Sequence, residues 1–140
     1  MKINHVAIAV PDLDAALAFY RDGLGLPVQQ IETVAREGVK IAFLPLGESH
    51  IELVQPIRDD TGIAKWLGKH GAGMHHVCVE VPDIDTMLID LAAKGVELIN
   101  PQAIQRDNGT RYAFIHPRSA FGVLVELYEV MNSDLSGGAR

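Results

Sequence analysis

Cysteine occurs once in these 140 residues, at Cys78. No internal disulfide can close the chain, and that usage suits a reducing cytosol. Long apolar runs are missing too. Stretches such as Val6 to Val10 and Gly122 to Val125 fall far short of the roughly 18–20 residues that span a bilayer. No leader is read at the start, where Met1-Lys2 passes straight into Ile3-Asn4-His5-Val6. It has neither a charged-then-apolar segment nor a small-residue cleavage site, so the expectation is a cytoplasmic protein. Basic charge is scarce as well: 12 Lys and Arg against 18 Asp and Glu leave a formal charge of −6 and a pI near 5.4. Binding to a phosphate backbone needs a basic face that releases counterions, so nucleic acid is excluded as a partner, and no membrane partner is expected.

What is present is ordinary globular composition, 48% hydrophobic and 21% charged, at a length that fits one compact unit or two small halves sharing a core. The second option is favoured by a repeat. His5-Val-Ala-Ile-Ala-Val-Pro-Asp-Leu-Asp14 returns as His76-Val-Cys-Val-Glu-Val-Pro-Asp-Ile-Asp85, an offset of 71 (76 − 5), about half the chain. In each copy an alternating strand ends at a proline that lacks an N–H, and an aspartate (Asp12 or Asp83) stands ready to cap a helix. Apolar residues at helical spacing follow over Ala15–Tyr20 and Thr86–Leu91, then a glycine, Gly23 or Gly95, as C-cap.

Extended stretches come next: Val28–Val34, Val39–Leu44 and His50–Val54 in one half, and Glu97–Ile99, Arg111–His116 and Val123–Glu129 in the other. Each half reads β-α-β-β-β. Between them, Asp59-Asp60-Thr61 precedes a linking helix over 60–70, with Trp66 as a core anchor. The expected organisation is a single domain over 1–130, with modules 3–56 and 74–130, and a tail at 131–140 that carries no motif.

Polar residues recur with the repeat. His5 and His76 open the first strand of each half, and Glu52 and Glu126 interrupt the otherwise apolar last strands. A buried carboxylate without a partner is costly, and a divalent metal would satisfy both. Two imidazoles and two carboxylates neutralise a 2+ ion and leave open octahedral positions, suited to Mn, Co, Ni, Fe or Mg rather than to a closed zinc site. The repeat selects His76 over His75, since adjacent strand residues face opposite sides. His50, His70 and His116 have no repeat partner and are read as surface or second-layer residues, and Cys78 as small core filler.

Paired β-α-β-β-β modules with His and Glu on first and last strands resemble the vicinal oxygen chelate (glyoxalase) superfamily. Within it, Gly73-Met74-His75-His76-Val77, Ile63-Ala64-Lys65-Trp66-Leu67 and His116-Pro117-Arg118-Ser119 leading to Gly122-Val-Leu-Val-Glu-Leu127 resemble the methylmalonyl-CoA epimerase family. The resemblance spans residues 3 to 129. It implies an α+β fold in which the two modules form a cup-shaped eight-stranded mixed sheet with helices outside. It also implies one divalent ion (Co, Mn or Ni) held by His5, Glu52, His76 and Glu126, a small-molecule acyl-CoA substrate, and a homodimer. The reaction implied is isomerisation, the α-proton being removed and returned through a metal-stabilised enolate, with Glu126 as first choice for acid/base work and Glu52 as second. Arg118 and Ser119 are placed against the substrate carboxylate or CoA phosphates.

One departure stands out: some members carry a further carboxylate on the third strand of the first half, where Val39–Leu44 offers only Lys40 as a charged residue. Glyoxalase I, with a similar ligand set, is the competing enzyme, but it typically carries Asp-Pro-Asp-Gly where this chain has His116-Pro-Arg-Ser. A non-catalytic binding protein on the same scaffold is the third reading.

Overall fold

The computed structural model describes residues 1–130, and the tail at 131–140 lies outside the described residues. Two compact units divide the described residues, one from His5 to His75 and the other combining Met1–Asn4 with residues 76–130. The strands are β1 (Lys2–Ala9), β2 (Gln30–Val34), β3 (Val39–Leu46), β4 (Ser49–Pro56), β5 (Gly73–Glu80), β6 (Ile104–Gln105), β7 (Arg111–Ile115) and β8 (Val125–Glu129). The α-helices are α1 (Leu13–Leu17), α2 (Gly62–His70) and α3 (Ile84–Ala93). The architecture is α+β, and each half runs β-α-β-β-β.

In the first unit the strands lie in the order β2-β3-β4-β1, with β1 parallel to β4 and the other pairs antiparallel. In the second they lie in the order β5-β8-β7-β6, with β5 parallel to β8. First and last strands of each module are therefore neighbours. His5 on β1 stands two register steps from Ala7, the partner of Glu52, while Cys78 on β5, two residues past His76, is the partner of Glu126.

Both faces of β1 are covered to some degree, which alternation alone understates. Ala7 and Ala9 on the His5 face are fully buried, and Val6 and Ile8 on the other are half-buried. One side of the first sheet packs Val10, Ala42, Leu44 and Leu53 against Leu13 and Leu17 of α1. The opposite side gathers Ala7, Val39, Ile41, Phe43 and Val54. The second unit repeats the first arrangement with Val81, Ala113, Ile115 and Leu127 against Ile84 and Leu88 of α3.

The start of each module helix is pinned twice. Asp12 accepts from the N–H of Asp14 and Ala15 at 3.0 and 3.3 Å, and Asp83 accepts from the N–H and hydroxyl of Thr86 at 3.1 and 2.8 Å. The next free amide reaches across to the module's last strand: Leu13 N–H donates to Gln55 Oε1 at 2.7 Å, and Ile84 N–H to Glu129 Oε1 at 2.8 Å. Gln55 and Glu129 each lie three residues beyond the module's buried glutamate, so this tie is part of the repeat.

The structure departs from the sequence reading in four places. The first helix starts at Leu13 and continues from Ala18 to Gly23 as a π-helical segment, and the left-handed glycine after it is Gly25 (φ 79°), not Gly23. Gly95 (φ 82°) does take the left-handed position after α3. No strand forms over Glu97–Ile99, where only Leu98 bridges to Ile115, because Asn100 Oδ1 takes the Phe114 N–H at 2.8 Å and Pro101 has no N–H to continue a ladder. The sixth strand is instead Ile104–Gln105. Trp66 is half-buried rather than a core anchor, since α2 buries none of its residues fully, and its ring stacks on His70 at 4.7 Å and meets the edge of His75 at 5.1 Å.

Two stability predictions follow from the caps. Thr61 Oγ1 accepts from Ala64 N–H at 3.0 Å at the start of α2. Thr61→Ala is expected to cost about 1 kcal/mol in urea unfolding and Thr61→Ser much less. The Thr86 backbone and hydroxyl donors hold the Asp83 carboxyl below its ordinary range. Its contribution is therefore complete above the unfolded value and is lost as pH falls through the folded one. Asp83→Asn should melt below the parent at pH 7, and the two melting curves should converge on acidification.

Candidate metal centre

Each half brings one histidine onto one glutamate. In the first unit His5 Nδ1 lies 3.1 Å from Glu52 Oε2, the side chains being 3% and 5% exposed. In the second, His76 Nε2 lies 3.0 Å from Glu126 Oε1 at 12% and 3% exposure. Side chains that far from water do not retain a carboxylate without compensation. An ionised carboxylate only accepts, so with nothing between them the imidazole N–H donates to it.

The same spacing suits a cation, because two cis ligands of an octahedral ion bound at roughly 2.1 Å stand about 3.0 Å apart. Each pair can turn its lone pairs to a shared ion without moving apart. The donor set of imidazole nitrogen and carboxylate oxygen belongs to the Mn, Fe, Co, Ni and Zn group.

A third side chain joins the first pair. His50, placed by sequence at the surface or in a second layer, is 7% exposed, and its Nε2 is 2.9 Å from the same Glu52 Oε2. Its ring sits 5.1 Å from His5 and 5.9 Å from Phe43. Ligand atoms of His5, His50 and Glu52 all fall within 4.8 Å of one another. Parity would have found it: His50 is two residues before Glu52 on one strand and so shares its face. In the second half the position two before Glu126 is Leu124, and the additional partner is instead Arg106, whose Nη2 is 3.6 Å from Glu126 Oε2. No spacing in the sequence announces that contact, because Arg106 follows β6 in the turn leading to β7.

The remaining candidates lie elsewhere. Arg118, 74% exposed, reaches Glu97 Oε1 at 3.2 Å, and Ser119 Oγ accepts from Glu97 N–H at 2.9 Å. His116 Nδ1 accepts from Arg118 N–H at 2.9 Å and so caps the short turn Pro117–Ser119. His70 is exposed beside Trp66, and Cys78 is fully buried. Val39, Ile41 and Phe43 occupy one buried face of β3, the half-buried Lys40 falls on the other, and no carboxylate stands on that strand.

Comparison with known proteins agrees with this fold. Residues 4–114 match the Glyoxalase/Bleomycin resistance protein/Dioxygenase superfamily, and the chain belongs to that superfamily. Its relatives narrow the class further, to methylmalonyl-CoA epimerases. The mouse (Mus musculus) mitochondrial methylmalonyl-CoA epimerase is 42% identical, over 90% of this chain and 71% of the relative. The ethylmalonyl-CoA/methylmalonyl-CoA epimerase of Cereibacter sphaeroides is 39% identical, over 92% and 98%. Among solved structures, a variant of the Streptomyces coelicolor methylmalonyl-CoA epimerase in complex with 2-nitronate-propionyl-CoA superposes with a TM-score of 0.85 at 35% identity, over 94% and 96%.

With a chelator present to strip any ion, His50→Ala is expected to lower unfolding stability by about 2 kcal/mol, because Glu52 loses a charge-assisted donor. His50→Gln should recover most of that in the same denaturation assay.

Proposed function

We propose that the chain is an isomerase interconverting the (2R) and (2S) epimers of methylmalonyl-CoA. What carries this reading is likeness to epimerases along nearly the whole chain, together with a buried histidine–glutamate pair in each half. His5, Glu52, His76 and Glu126 are the proposed ligands of one divalent ion, with Co, Mn or Ni as the favoured identities. When bound, that ion supplies Lewis-acid stabilisation to the oxyanion that develops as the α-proton leaves.

The protein's own part is proton transfer and exclusion of water. The substrate's α-carbon sits between a carboxylate and a thioester carbonyl, so its C–H electron pair is delocalised onto both on departure. Glu126 is proposed to accept that proton on one face, and Glu52, or a water, to return one on the other. With no carboxylate on β3, these two are the carboxylates proposed for acid/base work. Burial of the Ala7, Ala9, Ile41, Phe43 and Val54 surface in the first unit provides the dry wall that keeps such an exchange stereochemically productive. The exposed guanidinium of Arg118 is proposed to meet CoA phosphates, with Ser119 positioned beside it. Assembly as a homodimer and residence in the cytosol complete the proposal, the first resting on family resemblance and the second on single-cysteine usage. No described helix is long and apolar enough to cross a membrane.

The experiment is deuterium exchange at the α-carbon. Protein supplied with Co or Mn and methylmalonyl-CoA in heavy water is expected to exchange that hydrogen, and Glu126→Gln to abolish exchange while its melting curve stays cooperative. Full exchange in Glu126→Gln overturns the role of Glu126. Formation of lactoylglutathione from methylglyoxal and glutathione, with methylmalonyl-CoA left untouched, overturns the reaction itself.

A further inference from the structure

Arg106 is a cation in a place that does little to keep one. Its side chain is 16% exposed, and both Nε and Nη1 are buried with no hydrogen-bond partner. Nη2 stands 3.6 Å from Glu126 Oε2, beyond ordinary hydrogen-bond length. The guanidinium carbon lies 3.8 Å over the Tyr112 ring and 5.8 Å from that of Tyr128. The turn that carries it is closed by Arg106 N–H to Thr110 O at 2.8 Å and Gly109 N–H to Arg106 O at 3.0 Å, so the side chain issues from a fixed backbone.

Cation–π contact and one long ion pair return only part of the hydration that a guanidinium loses on burial. Structural support for Glu126 alone does not require a permanent positive charge, since Glu52 is supported in the matching position by the imidazole of His50. Charge balance indicates what the cation is for. With the proposed ligand set, two glutamates cancel a divalent ion, and Arg106 leaves the site with one uncompensated positive charge. A substrate bearing one free carboxylate beside its thioester neutralises that charge, whereas an acyl-CoA without the carboxylate does not.

We propose that Arg106 is a specificity-determining residue that selects acyl thioesters carrying a free α-carboxylate over their decarboxylated counterparts. The proposal rests on the reading of function given above. Arg106 holds its guanidinium over the Tyr112 ring beside Glu126, and the positive potential there favours the dianionic arrangement of carboxylate and developing oxyanion.

The test compares two ligands that differ by the carboxylate alone. Methylmalonyl-CoA is followed as substrate and propionyl-CoA as competitive inhibitor, with cobalt content measured on each preparation. For Arg106→Met, KM for methylmalonyl-CoA is expected to rise at least about tenfold, the scale of losing one charge-assisted contact. KI for propionyl-CoA and the cobalt content should stay within about twofold, as for a contact that propionyl-CoA cannot make. Arg106→Lys, which keeps the charge, should restore most of the discrimination. Parallel weakening of both ligands, loss of cobalt from Arg106→Met, or an unchanged KM for methylmalonyl-CoA overturns the proposal. A parent protein that exchanges the α-proton while its Arg106 variants fail in that way sinks this inference alone. A parent that does not turn over methylmalonyl-CoA sinks the functional reading, and this inference with it.

Discussion

A carboxylate withdrawn from water has to be answered by something, and in this protein the answer is given twice, once by His5 to Glu52 and once by His76 to Glu126. Much of the local architecture follows from keeping those pairs in place. Each glutamate sits on the last strand of its module, parallel and adjacent to the first strand, which carries the histidine. The amide at the start of each module helix is tied to the same last strand, through Gln55 or Glu129. Strand, helix and site residue are thereby fixed by one short stretch of sequence, three residues apart at its two functional points. Small, fully buried Ala7 and Ala9 share the His5 face, while bulkier Ile8 and Val10 turn to the helix side.

The two answers are alike in their first partner and unlike in their second. Glu52 gains the imidazole of His50 on the oxygen that already faces His5, whereas Glu126 divides its two oxygens between His76 and the cation of Arg106. The first partner recurs with the repeat, and the second does not. The result is a pair of carboxylates with matching geometry and unequal electrostatic surroundings. The proposed opposite proton-transfer roles of Glu126 and Glu52 call for such inequality, because identical acids compete for the same role.

Most of the module grammar was legible from the repeat. Strand, Pro-Asp corner and helix recur in both copies, and the histidines and glutamates recur with them, so those four positions emerge by comparing the chain with itself. What escaped was whatever does not recur or depends on a side chain standing in for backbone. Asn100 replaces a ladder bond and deletes the strand expected over Glu97–Ile99. The π-helical continuation over Ala18–Gly23 shifts the left-handed turn by two residues, a change that apolar periodicity does not register. Trp66 reads from sequence as a core anchor of the linking helix, yet α2 lies with no fully buried residue. His50 was within reach of the parity argument, and Arg106 was not, since a turn brings it to Glu126 from twenty residues earlier in the chain.

The first strand has a property that the repeat does not share. Met1–Asn4 group with the unit that begins at His76, and Asn4 Nδ2 donates to Glu80 Oε1 at 3.0 Å, while the strand continues from His5 as part of the other unit. A cut at the repeat boundary would carry away four residues that the second half uses. The ancestral copies have in this sense been stitched together: either half expressed by itself is missing a piece or carrying a surplus one.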